Sequence, residues 1–255
     1  MEKKNGYALF DLDHTLLPFD TQVLFCNYVL QRENPFRRLY ALLFAVCVPF
    51  ALLRICSLRL MKRVFSSYLW RLPEERVRQL AREFAKEVVD KEIYPELLVE
   101  LKKHQQAGRI TILNSASPDV YAVEIARELG FDHCVATRLL LQDPMPLIPK
   151  IDGPNNKHGA KIPPMIEQGI LPEGFDPESG DKLPDSYGYS DSRADVPLLS
   201  LCENGTMIHP GEAFAAIGKK RGWQTLMPDQ PYDDKWEGRC VSVKQALGIY
   251  ALSRD

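Results

Sequence analysis

The amino-acid sequence predicts an α/β protein in which a doubly wound parallel sheet carries a long helical insert. Three observations support this prediction. A short apolar segment, residues 7–10, ends in two carboxylates. Residues 17–104 have the patterns of helices without an intervening strand, and short apolar strands then alternate with helices from about residue 105 onward. Such alternation is typical of parallel sheets that are covered by helices on both faces.

The first element is a strand at residues 7–10, Tyr-Ala-Leu-Phe. Four apolar residues are too few for a helix, and the acids that follow would not lie in the middle of a buried strand. The strand therefore delivers Asp11 and Asp13 to its carboxyl end, where open α/β sheets bind ligands. Such a pair of acids is a weak signal by itself, because many pairs lie in surface turns. The apolar run before it and Thr15 after it strengthen the prediction.

The second element is the helical insert. Asp20 or Thr21 can cap a helix that begins directly after them, and residues 76–90 carry apolar side chains at helical spacing. No strand pattern interrupts the insert before about residue 104. The prediction divides the chain into a helical cap, residues 17–104, and a core formed by residues 1–16 and 105–255.

One stretch of the insert differs from the rest in composition. Residues 39–53 carry no charge, whereas residues 31–63 contain seven basic side chains and one acid, Glu33. The uncharged run is shorter than the roughly 20 residues that a membrane-spanning helix needs, and Pro49 lies within it. Two interpretations remain open. The run can form a buried helical hairpin with solvated basic ends, or residues 37–63 can contact an anionic membrane surface.

The remainder of the chain alternates between strands and helices. The predicted strands are residues 109–115, 132–137, 186–189, 205–209 and 223–227. Three helices are predicted at residues 118–129, 211–220 and 241–252. A short helix is predicted after residue 161, and another includes residues 198–199. Residues 139–151 suggest a hairpin around Asp143-Pro144, and the Pro, Gly and Asp content of residues 172–185 predicts a surface loop.

Length and composition limit the possible functions. At 255 residues and 45% hydrophobic content, the chain can bury a substantial core. Its net charge of -2 gives no global field that would attract nucleic acid, so we expect no nucleic-acid partner. The six cysteines have no C-x-x-C spacing, which is typical of reduced thiols in a cytoplasmic protein. Asp11 interrupts the apolar run after Lys3 and Lys4, so no secretory signal is expected. No pattern indicates an oligomeric state.

Polar residues cluster at or near the points where predicted strands end. The clusters are Asp11 with Asp13, Ser115, Lys161 or Lys157, and Asp191 with Asp195. Carboxylates that share one cleft repel one another unless a cation lies among them, and oxygen ligands suit Mg²⁺. A lysine, a hydroxyl and backbone amides at the same rim can bind a phosphate. The pattern therefore predicts phosphoryl transfer at a magnesium site.

In their order, these clusters resemble the four motifs of the haloacid dehalogenase superfamily. The motifs are Asp11-Leu12-Asp13-His14-Thr15, Ser115 after an apolar strand, Lys161, and Asp191-Ser192-Arg193-Ala194-Asp195. The spacing, and an insert directly after the first motif, are similar to the phosphoserine phosphatase-like subfamily. The resemblance covers roughly residues 7–227. It implies a Rossmann-like core, a cap and a phosphomonoesterase activity.

The resemblance also implies a role for each motif residue. Asp11 would attack phosphorus to form an aspartyl-phosphate, while Asp13 would protonate the leaving alkoxide and later deprotonate the water. Ser115 and Lys161 would hold the phosphoryl oxygens. The implied Mg²⁺ ligands are Asp11, the backbone carbonyl of Asp13, and Asp191, with Asp195 in support.

The expected substrate is a small phosphorylated metabolite of the phosphoserine type. Two departures affect this expectation. Ser115-Ala116-Ser117 replaces the Gly-Gly that follows the hydroxyl residue in phosphoserine phosphatases, and Asp20 stands where they carry a glutamate. The apolar insert with its arginines also resembles phosphatidylglycerophosphate phosphatases, so a phospholipid headgroup at a membrane surface is the alternative substrate. A non-catalytic phospho-receiver or binding protein is a remote alternative.

Overall fold

The computed structural model describes residues 6–53, 55–153, 156, 158–172 and 174–252. Within these residues, seven strands form one sheet. They are β1 (Tyr7–Phe10), β2 (Ile110–Pro118), β3 (His133–Leu140), β4 (Lys150–Asp152), β5 (Leu183–Ser190), β6 (Cys202–Ile208) and β7 (Gln224–Leu226).

Ten α-helices occur in the described part of the chain. They are α1 (Thr21–Arg32), α2 (Tyr40–Leu52), α3 (Leu58–Phe65), α4 (Glu74–Lys91), α5 (Pro95–Gln106), α6 (Asp119–Leu129), α7 (Pro163–Glu167), α8 (Val196–Ser200), α9 (Glu212–Arg221) and α10 (Lys235–Ala246). Short 3-10 turns lie at Pro35–Leu39, Ser66–Leu69, His158–Lys161 and Arg193–Asp195.

The strand β1 lies at the centre of the sheet, whose order is β4-β3-β2-β1-β5-β6-β7. It pairs in parallel with β2 on one side and with β5 on the other. The pair β3–β4 is antiparallel, with Leu139 opposite Ile151, and forms the predicted hairpin. Because the parallel strands run in the same direction, the carboxyl ends of β1, β2 and β5 meet at one edge of the sheet.

The sheet is covered on both faces, which confirms the predicted doubly wound α/β fold. Residues of β1 alternate between two hydrophobic clusters. Ala8 and Phe10 belong to the cluster that includes α1, α4 and α6, whereas Tyr7 and Leu9 belong to the cluster that includes α7 and α8. A strand buried in this way can be apolar along its whole length, as β1 is.

The insert between β1 and β2 consists of helices α1–α5 and two 3-10 turns. Asp20 caps α1 by accepting hydrogen bonds from two backbone N–H groups. Phe25 of α1, Phe84 of α4 and Tyr121 of α6 pack together with ring centroids 4.9–5.6 Å apart. Aromatic pairs at these distances stabilise a core beyond the area that they bury. The insert therefore shares a hydrophobic cluster with the helices that cover the sheet.

The interpretation of residues 39–53 as a buried hairpin is wrong for one face of α2. Tyr40 is buried, but Leu42, Val46 and Phe50 are 66%, 65% and 47% exposed. The run is apolar all round, so its pattern could not indicate which face would meet the core. No helix in the described ranges is both long and apolar enough to cross a bilayer.

Candidate active site

A buried lysine joins two of the predicted acids at the carboxyl edge of the sheet. The Nζ atom of Lys161 lies 2.8 Å from Oδ1 of Asp11 and 2.8 Å from Oδ2 of Asp195. Asp11 directly follows β1, and Asp195 lies in the 3-10 turn after β5. Because β1 and β5 are neighbours, the chain folds these two acids to one place. The side chain of Lys161 is only 2% exposed, so little solvent screens the ion pairs.

The carboxylate of Asp13 is held by hydroxyl groups from two other parts of the chain. Its Oδ1 accepts hydrogen bonds from the backbone N–H of Thr21, at 2.8 Å, and from the Thr21 hydroxyl. Its Oδ2 accepts a hydrogen bond of 2.6 Å from the hydroxyl of Ser117. Bonds to both oxygens fix the orientation of the carboxylate. Such a fixed carboxylate can transfer protons to and from a bound substrate.

Thr15 connects the first motif to the last one. The backbone N–H of Asp191 donates to Oγ1 of Thr15 at 3.0 Å, and the Thr15 hydroxyl donates to Oδ1 of Asp191 at 3.4 Å. The two residues are 176 positions apart in the sequence. Ser190, the last residue of β5, donates its hydroxyl to Oδ2 of Asp195 at 2.8 Å. These bonds position both acids that follow β5.

A cavity of about 560 Å³ lies over these groups. Its polar lining includes Asp11, Asp13, Lys161, Asp191 and Asp195. Its apolar lining includes Val23 of α1, Phe44 of α2, Met61 and Phe65 of α3, and Val243 of α10. The predicted acids and the lysine therefore share one cavity, and helices of the insert form part of its wall. A volume of this size accommodates a small-molecule ligand.

Negative charge is in excess in this cavity. Burial, together with the neighbouring carboxylates, raises the pKa of Asp11 well above its ordinary value despite the attraction of Lys161. Burial raises the pKa of Asp191 to about 6. Burial also lowers the pKa of Lys161, but its attraction to Asp11 and Asp195 outweighs this effect, so the net shift is upward. The carboxylates would therefore be stabilised by a further cation.

The oxygen donors of this cavity fit a hard divalent ion such as Mg²⁺. Oδ1 of Asp195 is buried and has no hydrogen-bond partner among the residues that the structure describes. Buried carboxylate oxygens normally have partners, and a bound cation is one way to satisfy such an oxygen. In the described ranges, no group of three or more His, Cys, Asp or Glu side chains could hold a metal by itself. A main-chain carbonyl beside two carboxylates, as the motif resemblance implies, would not form such a group.

Ser115 lies beside the cavity, whereas the alternative lysine, Lys157, cannot be placed relative to it. Ser115 is fully buried, its hydroxyl accepts a hydrogen bond from the backbone N–H of Ser117 at 3.0 Å, and its neighbour Ala116 lines the cavity. Its contact with a phosphoryl group stays a prediction. Lys157 lies outside the described residues, and Lys161 is the lysine that lies among the acids.

Sequence patterns did not identify the residues that hold Asp13. Thr21 was interpreted only as a possible helix cap, and Ser117 only as a departure from a glycine. The only sequence feature that could have indicated this role for Thr21 and Ser117 is that both lie close to motif residues. His14 of the first motif also lines the cavity, and its Nδ1 lies 3.0 Å from the carbonyl oxygen of Pro18.

Solved structures with a similar fold cover most of the chain. A protein of unknown function from Bordetella pertussis Tohama I has a TM-score of 0.68 and 24% sequence identity, over 88% of this chain and 99% of that one. A phosphoserine phosphatase solved as a phospho-aspartyl intermediate analogue has a TM-score of 0.53 and 18% identity, over 89% and 95% of the two chains. These similarities show the fold.

Sequence comparisons identify the family. The histidinol-phosphatase of Neisseria meningitidis serogroup C is 25% identical over 228 residues, which are 86% of this chain and 97% of that protein. The chain spans 44–60% of the length of other curated relatives that are 27–28% identical. The family model of the haloacid dehalogenase-like hydrolases matches residues 8–200. This range contains every motif residue named above, and the chain therefore belongs to the haloacid dehalogenase-like hydrolases.

Proposed function

We propose that this hydrolase is a Mg²⁺-dependent phosphomonoester phosphatase that works through an aspartyl-phosphate on Asp11. The observation that supports this proposal most strongly is the buried pairing of Lys161 with Asp11 and Asp195, beside a fixed Asp13 in the same cavity. Phosphoryl transfer depends on positioning and on compensation of negative charge, and this arrangement provides both.

In the first step, Asp11 acts as the nucleophile. Lys161 holds Oδ1 of Asp11, so Oδ2 attacks phosphorus. A bond forms between Oδ2 and phosphorus, and the bond from phosphorus to the leaving oxygen breaks. Asp13 gives its proton to that oxygen, which departs as an alcohol. The products of this step are the phosphorylated Asp11 and the Asp13 carboxylate.

In the second step, Asp13 acts as a base. It takes a proton from a water molecule, whose oxygen attacks the phosphorus of the acyl phosphate. The bond between phosphorus and Oδ2 of Asp11 breaks, which releases inorganic phosphate and regenerates the Asp11 carboxylate. The bonds from Thr21 and Ser117 keep Asp13 in one orientation through both steps.

The metal and the phosphoryl group would be held by the motif residues. The proposed Mg²⁺ ligands are Asp11, the backbone carbonyl of Asp13, and Asp191, with Asp195 in support. Bound Mg²⁺ would supply charge neutralisation to the phosphoryl oxygens. Ser115 and Lys161 would bind those oxygens directly. Residues 17–104 would form the cap over this site.

For the substrate, we propose a small phosphorylated metabolite. The Neisseria relative is named for a small phosphoester, histidinol phosphate, and a phosphoserine phosphatase shares the fold. A phospholipid headgroup is the second candidate, because one observation favours it. Phe44, Met61, Phe65 and Val243 give the cavity an apolar wall that suits an apolar leaving group better than the charged groups of an amino acid.

The proposal is tested by hydrolysis of 4-nitrophenyl phosphate with Mg²⁺. We expect turnover by the wild-type chain and none by an Asp11→Asn variant, because the amide is not a nucleophile. Removal of Mg²⁺ with a chelator should have the same effect as the substitution. Asp90→Asn, which changes an exposed acid on α4, is the matched control and should retain full activity. Turnover by Asp11→Asn at the wild-type rate would refute the proposal.

A further inference from the structure

No other part of the described molecule covers the outer face of α2. All 13 residues of α2 are uncharged. Leu39, Leu42, Val46 and Phe50 are nevertheless 59%, 66%, 65% and 47% exposed. They recur at intervals of three or four residues, so they form one stripe along the helix. A helix that is apolar all round is normally buried, so this face indicates a partner that is itself apolar.

The end of α10 extends this surface. The hydroxyl of Tyr40 donates to the carbonyl of Ala246 at 2.6 Å, and the guanidinium of Arg38 donates to the carbonyl of Gly248 at 3.3 Å. These bonds place the beginning of α2 beside the end of α10. Leu247, between the two carbonyl groups, is 42% exposed. We name Leu39, Leu42, Val46, Phe50 and Leu247 the apolar rim.

The apolar rim borders the active-site cavity. Phe44, on the same helix as the stripe, lines the cavity, as do Val243 and Ala246 of α10. A partner that covers the rim would therefore lie against helices that form part of the cavity wall. The remaining question is which kind of partner this is.

Positive charge in the segments before and after α2 indicates the kind of partner. Arg37 and Arg38 precede α2, and Arg59 and Arg63 lie on α3. Their recorded hydrogen bonds in the described chain go to backbone carbonyls, namely those of Tyr68 and Trp70, Gly248, Ile151 and Pro149. A carbonyl accepts a hydrogen bond but does not neutralise the guanidinium. Arg37 lies near one acid, Glu33, but basic side chains exceed acids in residues 31–63. An apolar surface edged by an excess of basic side chains fits an anionic lipid bilayer.

We propose that the apolar rim docks on the surface of an anionic bilayer and brings the cavity wall formed by α2 and α10 to the headgroup layer. A helix of 13 residues is about 20 Å long, whereas the hydrocarbon core of a bilayer is roughly 30 Å thick, so α2 lies in the interface and does not cross it. This docking does not depend on which phosphoester the site hydrolyses.

Vesicle flotation tests the proposal. The full chain is mixed with vesicles of equimolar phosphatidylglycerol and phosphatidylcholine, and in parallel with vesicles of phosphatidylcholine alone. We expect the wild type to float with the anionic vesicles, and less so in high salt because salt screens the arginines. Leu42→Glu/Val46→Glu should bind at least about tenfold more weakly. Two apolar side chains that would enter the bilayer are replaced by carboxylates, which anionic lipids repel.

Two controls separate docking from folding and from catalysis. Val99→Glu/Val123→Glu makes the same chemical change at exposed positions on α5 and α6 and should float like the wild type. Leu42→Glu/Val46→Glu should keep wild-type turnover of 4-nitrophenyl phosphate, whereas Asp11→Asn should lose turnover and still float. Failure of the catalytic proposal would thus leave the flotation result intact.

Several results would overturn the docking proposal. One is a wild-type chain that does not float with anionic vesicles. Another is equal flotation of the wild type and Leu42→Glu/Val46→Glu. A third is a wild-type dimer in size-exclusion chromatography that Leu42→Glu/Val46→Glu converts to a monomer without any flotation, because the rim would then be covered by a second copy of the chain.

Discussion

At the scale of single residues, Lys161 is the group on which the arrangement of the acids depends. It is the cation that separates the carboxylates of Asp11 and Asp195, and it is almost completely buried. A buried charge that loses its partner is strongly destabilising, whereas a complete pair is tolerated. The same side chain therefore affects both the stability of the site and its proposed chemistry.

Replacement of Lys161 by methionine should lower kcat/KM for 4-nitrophenyl phosphate by roughly 10²–10³. Methionine has a similar length but no charge, so it cannot hold Asp11 or stabilise a phosphoryl group. The melting temperature should also fall, because two buried carboxylates lose their counter-ion. Lys150→Met, at an exposed position of β4, is the control and should change neither quantity. An unchanged kcat/KM in Lys161→Met would contradict the assignment.

The sequence pattern predicts that the acids and Lys161 lie together, as they do in one cavity, but it does not indicate the residues that orient them. The acids lie in a recognisable order after apolar strands, and this order carried the prediction. The bond from Ser117 to Asp13 joins positions 104 residues apart, and Thr21 forms another bond to the same carboxylate. Serine and threonine hydroxyls near strand ends are too common to predict such long-range partners.

At the scale of elements, sequence patterns located most helices and strands to within a few residues. The predicted helix 118–129 corresponds to α6, Asp119–Leu129, and the predicted strand 223–227 contains β7. The largest shift is at the carboxyl end, where a helix was predicted at residues 241–252 and α10 spans Lys235–Ala246. The cap explains the difference, because the side chain of Asp234 accepts hydrogen bonds from the N–H groups of Trp236 and Glu237.

Packing against β6 gives a prediction at this scale. A Cβ at Gly205 would lie 2.6–2.8 Å from three ring atoms of Trp223. The indole cannot give way without disturbing its contact with Phe214, so Gly205→Ala should reduce the free energy of unfolding by about 1–3 kcal/mol. At Gly211 an added Cβ would have no atom within 4 Å. Gly211→Ala should therefore reduce the free energy of unfolding by only about 0.5 kcal/mol or less. Equal urea midpoints for the two variants would contradict the packing argument.

The contact of α5 with β5 predicts a pH dependence of stability. His104 is 3% exposed, and its Nε2 lies 2.9 Å from the hydroxyl of Tyr189. Burial, assisted by Arg109, lowers the pKa of His104 to about 4. Between pH 6.5 and 4 the unfolded chain therefore binds a proton that the folded chain does not, and the free energy of unfolding falls as the pH falls.

We expect this effect to appear in urea unfolding of the wild type and of His104→Gln. On acidification from pH 7 to pH 5, the wild type should lose about 2 kcal/mol more than the variant. The comparison isolates the histidine, because the other titrating groups are the same in both proteins. An identical loss in the two proteins would show that His104 titrates normally.

At the scale of the whole molecule, the proposed metal site links stability to both pH and Mg²⁺. The pKa of Asp11 is raised by burial, and that of Asp191 is raised by burial to about 6. Without metal, their contribution to stability is present below the ordinary pKa of an aspartate and is lost as the pH rises through about 6. Mg²⁺ competes with these protons, so it should stabilise the chain more at high pH.

Thermal unfolding with and without Mg²⁺ at pH 8 and pH 5 measures this linkage. We expect Mg²⁺ to raise the melting temperature by at least about 2 °C at pH 8 and by less at pH 5. Asp191→Asn should abolish the increase. If Mg²⁺ stabilised Asp191→Asn as strongly as the wild type, Asp191 would not be a ligand.

The overall architecture was predictable because its signals are local, whereas the surface of the insert was not. Short apolar runs that alternate with helical segments indicate parallel strands. The uncharged run of α2 is equally apolar on all sides, so its sequence does not show which face is buried. That face is fixed by the contacts of Tyr40 and Phe44 with Phe65 of α3 and by the bond from Tyr40 to Ala246 of α10. The exposed stripe could therefore be identified only from the folded structure and not from the sequence.

The most direct test of the account is to trap the phosphorylated protein. The chain is mixed with 4-nitrophenyl phosphate and Mg²⁺, quenched in acid and digested, and the peptides are analysed by mass spectrometry. The account predicts one phosphoryl group on the peptide that contains Asp11, removable by hydroxylamine as an acyl phosphate is, and absent from Asp11→Asn. An active chain that carried its phosphoryl group on Ser115 or Ser117 would contradict the account.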